Sequence, residues 1–296
     1  VMSALPETTV RDMPPVELLS PAEQSSPVVF ASPHSGVDYP RDFVSQSRLT
    51  FPSLRRSEDS FVDRLFAAAP RHGAPLIRAL FPRAFVDPNR EPFELDPTMF
   101  EDELPSYANT VSPRVAAGLG TIAKVVANGE EIYHAPLRFA EAKLRIEQYY
   151  RPYHDALRAI VAATRARFGS CLLIDCHSMP SIGGPMERDA GRKRVDFVLG
   201  DCHGSACAPL VIEQAESSLR RLGFVVARNA PYSGGFVTQH YGRPQDGVHA
   251  LQIEINRGLY MDEAAIAPSP AFDDIAARLD LLIGELCDVG RRIARS

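Results

Sequence analysis

Short apolar segments of strand length alternate with longer segments of helical periodicity, and this alternation limits the fold more than any other feature of the sequence. The predicted strands occupy residues 28–31, 76–80, 85–87, 171–176, 195–200, 224–228 and 251–255. Helical spacing of apolar residues covers 140–168, 206–222 and 271–294, and a further helix is expected to begin at Ser57. Such alternation is typical of a mostly parallel sheet covered on both faces. We therefore predict an α/β fold, built as one large domain or as two smaller ones.

The composition argues against several classes of protein. The chain has 296 residues, of which 45% are hydrophobic, and a net charge of −5, so it has no electrostatic case for a nucleic-acid partner. No apolar run approaches the roughly 20 residues that span a bilayer, and we expect no membrane insertion. The start of the chain lacks a signal-peptide pattern. Residues 1–26 are rich in Pro, Ser and Glu and are expected to form a loose arm.

The cysteine pattern indicates a reducing compartment. There are five cysteines, and neither their odd number nor their spacing fits a disulfide framework or a CxxC metal site. Reduced thiols in a cytoplasmic protein are the simplest interpretation. The residues concerned are Cys171, Cys176, Cys202, Cys207 and Cys287.

Unusual polar residues follow three of the predicted strands. His34 comes after the first strand, Asn89 and Arg90 after the strand predicted at 85–87, and His177 after the strand at 171–176. In open parallel sheets, ligands bind outside the carboxyl ends of the strands. The sequence therefore predicts a functional site at that edge of the sheet.

The two histidines are candidate metal ligands. A lone loop histidine more often bonds to backbone, but two at the strand ends of one sheet can converge on one point. A catalytic zinc site commonly uses two histidines and one carboxylate, with one position open. Glu58 and Asp59 are candidates for the carboxylate, although acids in a first helical turn also stabilise the helix dipole without any metal.

Glu254 lies in an alternating strand whose apolar residues all point to one face. Gln252, Glu254 and Asn256 share the opposite face, which is expected to line a polar site because an unpaired buried acid is costly. A structural salt bridge from Glu254 to Arg257 or Arg90 is the alternative. Arg90 itself suits bidentate capture of a substrate carboxylate, and a surface ion pair is its alternative.

The turn-rich loop at 229–236, which contains Tyr232, Gly234 and Gly235, is either a lid that contacts substrate or a simple connection.

Other catalytic schemes have little support. The chain has no G-x-S-x-G elbow and no glycine-rich nucleotide motif. Cys176 and His177 are adjacent strand residues, so they should point to opposite faces and cannot act as a pair.

The chain resembles the N-formylglutamate amidohydrolase family, whose members are also called N-formylglutamate deformylases. The resemblance extends over nearly the whole chain beyond the N-terminal arm. It is carried by SPHSGVDYP (32–40), EDSFVDRLF (58–66), VDPNREPFELD (86–96), YHAPL (133–137), RPYHDAL (151–157), LIDCHSMPS (173–181), NAPYSGGF (229–236) and LQIEINRGLYMDE (251–263).

The resemblance implies one domain over 27–296, a three-layer α/β/α sandwich with a mixed, mostly parallel sheet similar to that of zinc carboxypeptidases and aspartoacylase-type deacylases. It implies a metal, zinc or another divalent first-row ion, held by His34, Asp59 and His177. Zinc carboxypeptidases take their first histidine and acid from H-x-x-E. Here Val37 stands where that acid would be, and Asp59 is preferred over Glu58.

The resemblance also implies the reaction, which is hydrolysis of N-formyl-L-glutamate to formate and glutamate by a metal-activated water. Glu254 would be the general base, and Asn89 and Arg90 would hold the glutamate part of this small-molecule substrate. Further substrate contacts are expected from Tyr232, Gly234, Gly235 and Asn256. Arg138, Arg145, Arg243 and Arg257 lie in or near the matching motifs and are open candidates for the second carboxylate. A related deacylase or carboxypeptidase acting on another N-acyl amino acid, and an inactive binding homologue, are the alternatives.

Overall fold

The computed structural model describes residues 14–185 and 187–295. Its centre is a mixed seven-stranded sheet with strand order β1-β3-β2-β4-β7-β5-β6. The pairs β3–β2, β2–β4, β4–β7 and β5–β6 are parallel, whereas β1–β3 and β5–β7 are antiparallel. The strands are β1 (Val16–Leu19), β2 (Val28–Ser32), β3 (Leu76–Ala79), β4 (Cys171–Met179), β5 (Phe197–Gly200), β6 (Val226–Arg228) and β7 (Val248–Asn256), and β8 (Met261–Asp262) and β9 (Ala267–Pro268) form a separate small ribbon.

Helices cover both faces of the sheet, as predicted. The helix α9 packs on β2 and α7 on one side, whereas α6 packs on β2 and β4 and α8 on β4 and β7 on the other. The helices are α1 (Arg41–Gln46), α2 (Phe51–Leu54), α3 (Val62–Leu65), α4 (Pro113–Ala116), α5 (Phe139–Arg145), α6 (Arg151–Phe168), α7 (Pro209–Arg221), α8 (Phe236–Tyr241) and α9 (Phe272–Ile293). This arrangement confirms the predicted α/β class with a mixed, mostly parallel sheet.

The two central strands, β4 and β7, carry the functional face. All nine residues of β4 are buried. Because side chains alternate along a strand, Ile174 and Cys176 enter the core under α7 and α9, whereas Asp175 and His177 point to the opposite face. The register pairs His177 with Glu254, which brings their side chains to the same face of neighbouring strands. The predicted separation of Cys176 from His177 follows from this alternation.

The long helical segment is divided where proline predicted a break. A π-helical turn at Ile146–Tyr150 joins α5 to α6, and Pro152, which lacks a backbone N–H, is the second residue of α6 and lies next to this irregular turn. Gly169 ends α6 with a φ of +83°, a left-handed conformation that glycine adopts without steric cost. Among the described residues, no helix is both long and apolar enough to cross a membrane.

Four local predictions are corrected. Residues 85–87 form a turn and not a strand. The helix expected from Ser57 is only the short α3, because Ser57 bonds to Ala127 N instead of capping a helix. The strand at 171–176 continues through His177 to Met179, so His177 lies within β4. Part of the expected arm, Val16–Leu19, is an edge strand paired with β3. Residues 1–13 of that arm lie outside the described residues.

Candidate active site

A cavity of about 430 Å³ opens at the carboxyl ends of β2, β4 and β7. Its position agrees with the general rule for ligand sites in open α/β sheets. Many polar side chains of the lining could contact a polar ligand or hold an ion, and they include His34, Asp59, Arg83, Asp87, Asn89, Arg90, Arg114, His177, Glu254 and Arg257. A wall of small apolar residues from the segment 117–127 completes the enclosure.

His34, Asp59 and His177 meet at the base of this cavity. The Nδ1 atom of His177 lies 2.9 Å from Asp59 Oδ2, and Nδ1 of His34 lies 3.4 Å from the same oxygen. One ligand atom from each residue lies within 4.8 Å of the other two, and all three residues are buried. The backbone brings Asp59 here because its N–H donates to the carbonyl of His34. The structure therefore unites the three residues that the sequence proposed as ligands.

This group has the donor chemistry that a divalent ion needs. His34 Nδ1 is buried and has no hydrogen-bond partner within the described part of the chain. The other ring nitrogen of each histidine faces a carboxylate: His34 Nε2 lies 2.7 Å from Asp87, and His177 Nε2 lies 2.9 Å from Asp175. Carboxylates commonly orient metal-binding histidines in this way. Two imidazoles and one carboxylate fit zinc, so the residues present are suited to the implied metal.

The electrostatics of the group also favour a cation. Burial opposes the ionisation of Asp59, but contacts with His177 and His34 outweigh burial and hold its pKa well below the ordinary range. Burial likewise opposes protonation of His177, yet the carboxylates of Asp175 and Asp59 raise its pKa well above the usual value. The histidines are thus surrounded by negative charge, which a bound cation would neutralise.

Glu58 is the less suitable of the two candidate acids. Its carboxylate receives hydrogen bonds from Arg55 at 2.9 and 3.0 Å, from Tyr39 at 2.8 Å and from Ser60 at 2.8 Å. These bonds occupy both of its oxygens, and it does not line the cavity. The geometry therefore favours Asp59 over Glu58 as the third ligand.

Glu254 projects from β7 into the cavity and is 8% exposed. Gln252, two residues earlier on the same face, donates to its Oε1 at 2.8 Å. Burial raises the pKa of Glu254 to about 7, although the nearby His177 lowers it. A carboxyl group that titrates near neutrality can both accept and release a proton. The alternative of a salt bridge to Arg257 or Arg90 is not what the structure shows, since Arg257 donates to Asp59.

Asn89 and Arg90 line the cavity although no strand precedes them. The amide of Asn89 accepts from Val237 N at 2.8 Å, and its Nδ2 lies 3.1 Å from His177 Nε2. Arg90 donates through Nε to Leu119 O at 2.7 Å and through Nη1 to Asn89 O at 2.8 Å. The two residues are fixed in place by these contacts.

The loop at 229–236 forms part of the cavity wall, where it contributes Tyr232, Gly234 and Gly235. Tyr232 donates its hydroxyl to Glu187.

Asn256 is the predicted contact that the structure does not bring to the cavity. Its amide donates to Arg194 O and Val195 O at 3.1 and 3.2 Å and accepts from Gly258 N, because β7 ends there and these backbone groups need partners.

The sequence analysis missed Asp175, which lies behind His177 and does not line the cavity, and three residues that do line it. Asp175 could have been found, because it precedes His177 by two residues and so shares its face of β4. Arg83, Asp87 and Arg114 carry no comparable local signal, since they reach the cavity from irregular segments or from the short α4. Of the four arginines left open, only Arg257 lines the cavity.

Comparison with known proteins agrees with this geometry. The family model for N-formylglutamate amidohydrolase matches residues 26–261. The chain belongs to the N-formylglutamate amidohydrolase family. Membership of this family makes the protein a hydrolase that acts on an amide bond, which confirms the expected class of enzyme.

Individual relatives cover nearly the full chain. An N-formylglutamate deformylase of Pseudomonas putida is 28% identical over 266 residues, which are 88% of this chain and 90% of the relative. One from Pseudomonas aeruginosa is 28% identical over 275 residues, with 92% and 95% coverage. The crystal structure of N-formylglutamate amidohydrolase from Ralstonia eutropha JMP134 superposes with a TM-score of 0.86 at 36% identity and covers 95% of this chain and 99% of its own.

A gene product of Agrobacterium tumefaciens shows the same fold at greater distance. Its crystal structure superposes with a TM-score of 0.64 at 21% identity, with 94% of this chain and 96% of that chain covered. That likeness concerns the fold alone. The architecture predicted for this member of the N-formylglutamate amidohydrolase family is therefore shared by solved proteins.

Proposed function

We propose that the protein hydrolyses N-formyl-L-glutamate to formate and L-glutamate with the help of a bound divalent metal ion. One observation carries the proposal: the Nδ1 atoms of His34 and His177 share Asp59 at the base of a cavity that also holds Glu254 and several arginines. The substrate is taken from the names of the relatives, whereas the metal and the roles of the residues are argued from this chain.

His34, Asp59 and His177 would hold the ion, zinc or another first-row metal. When bound, it would lower the pKa of a coordinated water towards about 7 and polarise the formyl oxygen. Asp87 would hold the His34 ring in place through Nε2, and Asp175 lies 2.9 Å from Nε2 of His177.

Glu254 is the general base of the proposal. It accepts the proton of the attacking water and passes it to the nitrogen of the leaving amine. Its partner Gln252 fixes the carboxylate, because the Oε1 of Gln252 in turn accepts from Gly235 N at 2.6 Å. Acid–base assistance of this kind is typically worth roughly 10²- to 10⁴-fold in rate.

Substrate contacts come from charged and backbone groups of the cavity wall. Arg90 and Asn89 hold a carboxylate of the glutamate part, and Tyr232, Gly234 and Gly235 border the same space. A formyl group offers little to bind, so affinity must come from the amino-acid half of the substrate. We place the enzyme in the cytoplasm, where its five free cysteines would stay reduced.

An assay of the free amino acid released from N-formyl-L-glutamate, N-acetyl-L-glutamate and N-formyl-L-aspartate tests the substrate. We expect a clear preference for the first compound, whereas equal rates on all three would replace the proposal by a general deacylase.

Elemental analysis and chelation test the metal. We expect one ion per chain and loss of activity on chelation that is restored by zinc. Full activity in the absence of any metal would contradict the mechanism, and a stoichiometric ion without turnover would indicate an inactive binding protein.

A further inference from the structure

Four arginines line the cavity, and the guanidinium groups of two of them, Arg83 and Arg257, already donate hydrogen bonds to protein acceptors. Arg83 donates to Asp87 through Nε at 3.2 Å and Nη2 at 2.9 Å. Arg257 donates to Ser178 at 3.1 Å, to Arg56 O at 3.3 Å and to Asp59 at 3.0 Å. Their charges therefore stabilise Asp87 and Asp59. Asp59 belongs to the three proposed metal ligands, His34, Asp59 and His177, which are called the ligand group below.

Only part of the hydrogen-bonding capacity of the Arg90 guanidinium is used. Two of its nitrogens donate to carbonyl oxygens, and the third, Nη2, lies 3.6 Å from Asp87 Oδ2. Asp87 already faces His34 at 2.7 Å and Arg83 at 2.9 Å. Arg90 is thus joined to the ligand group through one shared carboxylate, and it retains a guanidinium edge beside that group.

Arg114 has the fewest side-chain interactions of the four arginines. It lies on α4, and Ser112 caps this short helix through a hydrogen bond from Val115 N at 3.0 Å. Within the described part of the chain, the one ion pair of its guanidinium is with Glu94, whose Oε2 lies 3.8 Å from Nη1. That distance is beyond a hydrogen bond. Glu94 is already bonded to Ser112 Oγ and to the backbone N–H of Glu91, so it does not need Arg114 as a donor.

Three guanidinium groups lie near one another at this end of the cavity. The guanidinium groups of Arg83 and Arg114 are both close enough to act on Arg90. Burial, assisted by these two charges, lowers the pKa of Arg90 to about 10, although Asp87 opposes the shift. Neighbouring guanidinium groups repel each other unless an anion lies between them, and a carboxylate matches their planar geometry.

We propose that Arg114 binds the side-chain carboxylate of the substrate and thereby selects N-acyl amino acids with an acidic side chain. This inference rests on the proposed function and extends it to a specificity residue. The α-carboxylate is attached next to the scissile amide, so it belongs with Arg90, which shares Asp87 with His34. The side-chain carboxylate lies further along the substrate and belongs with Arg114, which contacts no residue of the ligand group.

The test compares N-formyl-L-glutamate with its neutral isostere N-formyl-L-glutamine on the metal-loaded enzyme and its Arg114→Gln variant. We expect kcat/KM for the glutamate compound to fall by roughly 10- to 100-fold, mainly through KM, as for the loss of a charge-assisted hydrogen bond. The rate on the glutamine compound should hold or rise, so the preference collapses. Arg114→Lys should retain part of it, since it keeps the charge without the fork.

Arg138→Gln is the matched control. Arg138 also faces one carboxylate, Glu101 at 3.6 Å, but it is 71% exposed and does not line the cavity. We expect it to leave both rates unchanged. Inhibition by glutarate, a dicarboxylate without an amide, should weaken in Arg114→Gln in parallel with KM, which gives a binding readout independent of turnover.

The outcomes separate this inference from the function on which it rests. An unchanged glutamate-to-glutamine preference in a folded Arg114→Gln protein, with normal glutarate inhibition, would overturn the role of Arg114 and leave the proposed function standing. A wild-type enzyme that cleaves neither compound would overturn both. Thermal unfolding of each variant identifies any loss that comes from misfolding, and in that case Arg114→Lys decides the matter through its intermediate preference.

Discussion

His177 Nδ1 lies 2.9 Å from Asp59 Oδ2, although the two residues are 118 positions apart in the chain. His34 Nδ1 approaches the same oxygen at 3.4 Å. Two imidazole nitrogens around one buried carboxylate form a compact donor set whose negative surroundings favour a cation. The relationship favours Asp59 over its neighbour Glu58 as the acid that completes the proposed set.

Replacement of the two candidate acids should give opposite results for metal binding. Asp59→Asn should lower metal affinity by more than the roughly 10- to 100-fold typical of losing an outer partner, because it removes a direct ligand. Glu58→Gln should keep the ion, although the loss of its bonds with Arg55 and Tyr39 will reduce stability. Metal titration of the two purified variants measures both effects. Retention of a tight ion in Asp59→Asn would show that the third ligand is another residue.

Glu254→Gln should retain the metal and lose turnover. The amide keeps the size of the side chain but cannot accept the water proton, so kcat should drop by roughly 10²- to 10⁴-fold. A base works only when deprotonated, and burial raises the pKa of Glu254 to about 7 in the metal-free protein. The rate should therefore fall as the pH decreases, from a midpoint that the positive charge of the ion moves below 7. A near-normal rate for Glu254→Gln across this range would exclude Glu254 as the base.

Gly235→Ala should damage the site through Asn89. A Cβ atom on Gly235 would lie 2.4 Å from Asn89 Nδ2 and 2.6 Å from its Oδ1, so the amide must leave its contacts with Val237 N and His177. We expect kcat/KM to fall by at least about 10-fold, the order produced by displacing one active-site hydrogen-bonding group. Steady-state kinetics on N-formyl-L-glutamate measure the effect.

Gly284→Ala serves as its control. Gly284 lies in α9, where a Cβ would meet only the ring of His72 at 3.1 Å, and that half-buried side chain can move. Activity should be unchanged. If Gly235→Ala were equally active, the tight packing between the loop and Asn89 would have no role in catalysis.

Although the raised pKa of Glu254 acts in the opposite direction, mild acidification should remove stability through His154. This residue lies behind the cavity, with Nε2 2.7 Å from Pro88 O and Nδ1 2.9 Å from the hydroxyl of Tyr241. Burial lowers the pKa of His154 from 6.5 to about 4, so the folded state keeps it neutral. Between these values the unfolded chain binds a proton that the folded chain does not, and the free energy of unfolding falls as pH falls through that window.

The size of this effect should be on the order of 3 kcal/mol for the full shift. Denaturant unfolding between pH 7 and 4 measures it. His154→Gln lacks this contribution, so its free energy of unfolding relative to wild type should rise as the pH falls through the window, whereas His134→Gln, which changes an exposed histidine, should keep the wild-type slope. Equal slopes in wild type and His154→Gln would remove His154 as the cause.

The periodic elements could be predicted because their signal is local. Alternation in 251–255 and the apolar run at 171–176 correctly indicated the central strands, and helical spacing located α6, α7 and α9. The strand at 85–87 was wrong, because three apolar or acidic residues in a row do not distinguish a strand from a turn. The edge strand β1 was missed, since its polar surroundings resembled a loose arm and only pairing with β3 orders it.

His34, His177 and Glu254 were accessible from the sequence, because each stands beside or within a recognisable strand whose orientation places polar residues at one edge of the sheet. Family resemblance added the reaction. The resemblance preferred Asp59 to Glu58 without a physical reason, and neither source ranked the arginines, since these choices depend on which side chains already have hydrogen-bond partners. Only the tertiary structure shows this occupancy. The bonds to Glu58 favour Asp59 as the proposed ligand, and the segments that carry Arg83 and Arg114 reach the cavity because the folded chain returns there, a result of long-range packing that no local pattern encodes.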